Sequence, residues 1–155
     1  MDEKLQRNLS LALWASTIAV LVLIMLQGFS GNWTTYFLIL PGGPADLSQG
    51  FIEGLAKLAI YHKIMGFVTG LVSILVLVIA FVGRSNIYVR VFAVLGFIIA
   101  ALAGMGGFLF VTSGFQDRWA LGQMADAFIG AFAAYFLQLF FMNKTPRFPW
   151  ISRAG

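Results

Sequence analysis

Six side chains have the types and placing to do chemistry inside otherwise apolar runs. His62 and Lys63 lie in one such run, Gln123, Met124 and Asp126 in another, and Gln27 in a third. An aspartate near the centre of a membrane helix costs about 2.5–3.5 kcal/mol on insertion scales, so it needs a reason to be there. The imidazole of His62 has the chemistry to ligate a haem or chlorophyll metal, with Met124 or Gln123 as a second axial group. Alternatively, His62 and Asp126 would hydrogen-bond a quinone carbonyl or exchange protons with it. A purely structural reading stands beside these. In it Asp126, His62, Lys63 and Gln27 form one polar cluster that holds helices in register.

The composition limits the other possibilities. The chain has 155 residues, 60% hydrophobic and 10% charged, where a soluble domain carries about 25% charged residues. With no cysteine and a single histidine, disulfide frameworks, thiolate metal sites and thiol nucleophiles are excluded. No protein metal site is expected. The net charge of +4 is small and scattered, which argues against a nucleic-acid surface. No Ser-His-Asp arrangement, carboxylate pair or phosphate loop appears, and the reading leans away from an enzyme.

The elements that must position these residues are four membrane spans, because about 20 apolar residues cross a hydrocarbon core of roughly 30 Å. They fall at about 9–29, 60–82, 91–111 and 120–142, with an outer loop over 30–59. Short links over 83–90 and 114–118 force antiparallel neighbours. The expectation is an all-α, up-down-up-down four-helix bundle forming a single domain. Seven of the ten Lys and Arg residues lie at the N-terminus, the middle loop and the tail, and four of the six acids lie on the other side. The positive-inside rule then places both termini in the cytoplasm, with a prokaryotic plasma membrane as the expected location. The segment Trp33–Leu40 is too short to cross and reads as interfacial, and Pro41-Gly42-Gly43-Pro44 breaks the chain after it. Asn32-Trp33-Thr34 matches a short glycosylation sequon, meaningful only in a eukaryotic source.

This topology brings His62 and Asp126 to the same outer end of the bundle, Asp126 about six residues, or ~9 Å, inside its span. Small residues at four-residue spacing mark the contact faces: Gly66 and Gly70, then Gly96 and Gly104, then Gly130. The phenylalanines of the last two spans (Phe108, Phe110, Phe128, Phe132, Phe136, Phe140, Phe141) are then left for lipid, a partner or an apolar cofactor.

The run Ala59-Ile60-Tyr61-His62-Lys63-Ile64-Met65-Gly66 resembles the second helix of the haem A synthase family. The resemblance covers spans two to four, with a glycine-rich rhythm over Gly104–Ala134. It implies a four-helix half-domain with His62 in a ligand position. The family's glutamate stands as Ala59 here and its arginine as Lys63. Its second histidine is missing, with Gln123 or Met124 in that neighbourhood, and its loop cysteines are absent. Two function classes follow. One is a small non-catalytic subunit packed among larger membrane-protein subunits, in a respiratory or photosynthetic electron-transfer complex. The other is a haem-handling protein or cytochrome that uses His62.

Overall fold

The computed structural model describes residues 2–39, 49–113 and 117–144. Four α-helices follow in chain order: α1 (Glu3–Ile39), α2 (Gln49–Val82), α3 (Ile87–Thr112) and α4 (Arg118–Lys144). All four are long and apolar enough to cross a membrane, with candidate spans Glu3–Gly31, Ala56–Val82, Ile87–Thr112 and Arg118–Asn143. The all-helical, four-span expectation is met. The helices pack in a ring, each against its chain neighbours and α1 against α4, so α2 and α4 occupy diagonal corners.

One expectation is corrected: the stretch 30–59, read as an outer loop, is helical over 30–39 and again from Gln49 onward, because α1 runs unbroken to Ile39 and α2 begins at Gln49. With 37 and 34 residues, these helices span ~55 and ~51 Å at 1.5 Å per residue, well past a ~30 Å core. Backbone hydrogen bonds within a helix need no second strand or sheet, so an apolar-aromatic segment extends an existing helix at little cost. The Pro41–Pro44 break and the tail lie outside the described residues.

The α2–α3 link closes in a Schellman motif. Ser85 N–H donates to the Ala80 carbonyl at 3.2 Å and Arg84 N–H to that of Phe81 at 3.2 Å. Arg84 takes the left-handed position, at φ 48°. Asn86 then caps α3, its side chain accepting from Tyr88 N–H at 2.8 Å. At the other end Asp117 caps α4, its carboxylate accepting from Trp119 and Ala120 N–H, both at 3.0 Å.

The core runs along the bundle axis through Leu13, Val20, Ile24, Val76, Ala80, Ala93, Ala131, Tyr135 and Met142. The buried serine and threonine hydroxyls are satisfied inside their own helices: Thr17 donates to Leu13, Thr69 to Met65 and Ser73 to Thr69, each at 2.7 Å. Most of the phenylalanines expected on the outside are turned inward. Phe110 is buried, and Phe128, Phe132 and Phe141 pack against the core, the last stacked on Tyr88 and Phe92 at 5.0 and 5.5 Å. Phe108, Phe136 and Phe140 face out. Small residues on the facing helix make the room that lets an aromatic ring enter.

The glycines divide in the same way. A Cβ at Gly66 would meet the Gln27 amide, one at Gly96 the Tyr135 ring, and one at Gly130 the Ile99 side chain, so these three are contact positions. Gly70 and Gly104, also expected at contacts, have nothing within 4 Å of such a Cβ. Gly106 does the work expected of Gly104: its Cβ would stand 3.0 Å from the Ala120 carbonyl oxygen and 3.2 Å from Met124 N. A rotation of ~200° separates residues two apart on a helix, and spacing alone does not say which of them faces the neighbour.

Candidate functional site

The polar residues near the loop end of the bundle form two groups. In the first, between α1 and α2, the His62 ring is half-buried with Nδ1 3.1 Å from Ser30 Oγ. The Gln27 backbone lies near the ring, and Ser30 Oγ itself donates to the Gln27 carbonyl at 3.1 Å. The ring lies against Gly31, where a Cβ would stand 2.7 Å from Cε1. The Gln27 side-chain amide covers Gly66 one turn further along α2. Local sequence explains the fit: Gly31 and Gly66 remove the two side chains that would otherwise hold α1 and α2 apart.

The second group lies on the other side, where α3 and α4 border a groove of ≈ 540 Å³. Ile99, Leu102, Arg118, Trp119, Gln123 and Asp126 are among its lining residues. Asp126 is exposed there and makes no hydrogen bond or ion pair among the described residues. Lys63 is exposed on α2 and is equally without an ionic partner among them. The expected single cluster of Asp126, His62, Lys63 and Gln27 is therefore not formed. His62 and Gln27 come together, Asp126 and Lys63 each face outward, and Ser30 supplies the partner that sequence reasoning did not single out. A serine one turn from Gln27 on the same helix face was the available signal.

The residues suggested for a macrocycle do not converge. His62 is turned into α1, Met124 packs on α3 with its sulfur 3.4 Å from where a Gly107 Cβ would stand, and Gln123 lines the α3–α4 groove. A haem or chlorophyll plane on His62 would have to take the space that α1 fills at Gly31. The geometry thus does not fit a haem or chlorophyll held by His62 together with Gln123 or Met124. The quinone reading needs His62 and Asp126 on one carbonyl, and these two side chains sit in separate groups.

A polar layer that spacing did not reveal lies deeper in the bundle. Tyr135 and Gln138 are fully buried on α4. Both amide atoms of Gln138 lack a hydrogen-bond partner among the described residues, and the Tyr135 hydroxyl approaches Ser73 without reaching hydrogen-bonding geometry. An unpartnered buried polar group costs about 1–3 kcal/mol. Gln138→Met, which keeps the length and removes the amide, is therefore expected to stabilise the bundle by about 1 kcal/mol or more. Unfolding in a denaturing-detergent titration checks this, and a destabilised variant would mean that the amide holds a partner such as water.

Comparison with protein-family models, curated proteins and solved structures gives no match to this chain, so its function is read from its own geometry.

Proposed function

We propose that this chain is a small, non-catalytic transmembrane subunit of a larger membrane assembly, with both termini in the cytoplasm. The observation that carries this reading is where its glycines point. Gly104 and Gly122 are exposed on α3 and α4, and nothing of the chain lies within 4 Å of a Cβ built on either. Outward small residues let a neighbouring helix backbone approach closely, which is how helices associate where lipid offers no hydrophobic drive. The engagement of His62 with Ser30 and Gln27 supports a structural role for the histidine. The resemblance of the His62 region to haem A synthase helices favours an assembly concerned with electron transfer, respiratory or photosynthetic.

The test is mild-detergent extraction of the tagged chain, with its subunits resolved and its absorption spectrum recorded. The expected result is stoichiometric recovery of larger polytopic subunits, with any colour following them and surviving His62→Ala. A Soret band stoichiometric with this 17.0 kDa chain alone, lost on His62→Ala, would overturn the reading in favour of a haem protein. Recovery of this chain alone and colourless would overturn it in favour of a stand-alone membrane protein.

A further inference from the structure

Lys63 and Asp126 are the two charged side chains that face outward well inside the membrane spans. Lys63 is the eighth residue of the span Ala56–Val82, and Asp126 the ninth of the span Arg118–Asn143. The packing places them at one level. Gly31 of α1 lies against His62 of α2, and Gly28 lies against Phe128 of α4. Moving three residues along α1, from Gly28 to Gly31, moves about three residues back along the antiparallel α4, from Phe128 to Ala125. Lys63 and Asp126 therefore sit at the same depth to within about one helical turn, ~5 Å, within the reach of a lysine side chain. They stand on helices at diagonal corners of the ring, so neither serves the other within one bundle. Arg118 shares the groove with Asp126 but stands eight residues away, ~12 Å along the axis. Each charge alone facing hydrocarbon is costly, and pairing the two across an interface offsets part of both penalties.

We propose that copies of this chain associate side by side, with Lys63 of one copy entering the α3–α4 groove of the next to pair with Asp126. Opposite charge, equal depth and diagonal position select a second copy as the occupant. The small residue Gly122, one turn from Asp126, has open space around it and clears the way for the neighbour's α2. The contact uses different surfaces on the two copies, so it is heterologous and generates a ring or an open row rather than a closed two-fold dimer. This inference goes beyond the subunit reading and names a neighbour that the reading leaves open.

The absence of cysteine supplies the experiment. Phe67 and Ile129 are exposed, 70% and 64%, one turn inward of Lys63 and Asp126 respectively. The full chain carrying Phe67→Cys and Ile129→Cys, oxidised in its membrane, is expected to give a ladder of dimers, trimers and higher species. Adding either Lys63→Glu or Asp126→Lys should lower the cross-linked fraction about tenfold, the scale of an interhelical polar contact in lipid. Co-expressing the two charge variants should restore it, because every contact between unlike copies then joins opposite charges. That restoration also shows that both variants fold. The proposal is overturned if no ladder forms, if the ladder ignores both substitutions, or if mixing fails to restore it. Recovery of larger subunits with the isolated chain is read separately, so a failed ladder and a failed subunit reading are told apart. Cross-linking to a larger subunit in place of a ladder would overturn self-association while supporting the subunit reading.

Discussion

Gly106→Leu is expected to separate α3 from α4 and leave no stable bundle, while Gly104→Leu, two residues away, leaves it folded. At Gly106 a Cβ would stand 3.0 Å from the Ala120 carbonyl oxygen and 3.2 Å from Met124 N, both of them backbone atoms. Backbone cannot swing aside as a side-chain tip can, so the two helices must move apart. Overpacking usually costs about 1–3 kcal/mol, and a leucine against two backbone atoms belongs at or above the top of that range. The helix-propensity gain over glycine, about 1 kcal/mol, does not offset it. At Gly104 nothing lies within 4 Å, and only the propensity gain remains. Detergent unfolding followed by circular dichroism checks both variants, and equal stabilities would refute the assignment of Gly106 as the contact. Should Gly104→Leu fold normally yet fail to recover larger subunits, its outward face is the one a neighbour uses.

The second large effect belongs to Tyr135 and Gly96. A Cβ at Gly96 would stand 2.7–2.9 Å from three atoms of the Tyr135 ring, so the ring lies flat on bare backbone. Tyr135 is fully buried, in the same core cluster as Val76, Ala93 and Ala131. Tyr135→Ala should cost about 3 kcal/mol, the low end of the range for deleting a buried aromatic. In lipid the transfer contribution is small, and lost dispersion contacts carry the penalty. Gly96→Ala alone should cost about 1–2 kcal/mol by clashing with the ring. In the Tyr135→Ala background the same change should be neutral or stabilising, because the added methyl enters the space the ring vacates. A double-mutant cycle measures this coupling. Additive costs would mean that the two residues do not touch.

Much of the architecture was legible before any coordinates. Four apolar runs of the right length, the last three joined by short links, leave few alternatives to a membrane bundle, because hydrocarbon requires every backbone group to be bonded within its own segment. Contact positions were legible only in part. Gly66, Gly96 and Gly130 are at helix contacts, Gly70 and Gly104 are not, and Gly106 takes the place expected of Gly104. Glycine-rich helices offer several small-residue stripes at once, and four-residue spacing does not rank them.

For the candidate site, the depth of His62, Lys63 and Asp126 could be counted from the chain, since the rise per residue along a helix is constant. Which way each points could not. Rotation about the helix axis is set by how four surfaces pack together, and a few tens of degrees decide whether a side chain meets a neighbour or lipid. His62 thus meets Ser30 on α1, whose one-turn spacing from Gln27 gains meaning only once the packing turns that face toward α2. Asp126 and Lys63, expected to join it, point outward on opposite corners of the ring. Sequence by itself determined that charges lie within the membrane, and at what level. Tertiary structure alone decided that two of them face away from their own bundle, because only packing selects the face that each helix turns inward.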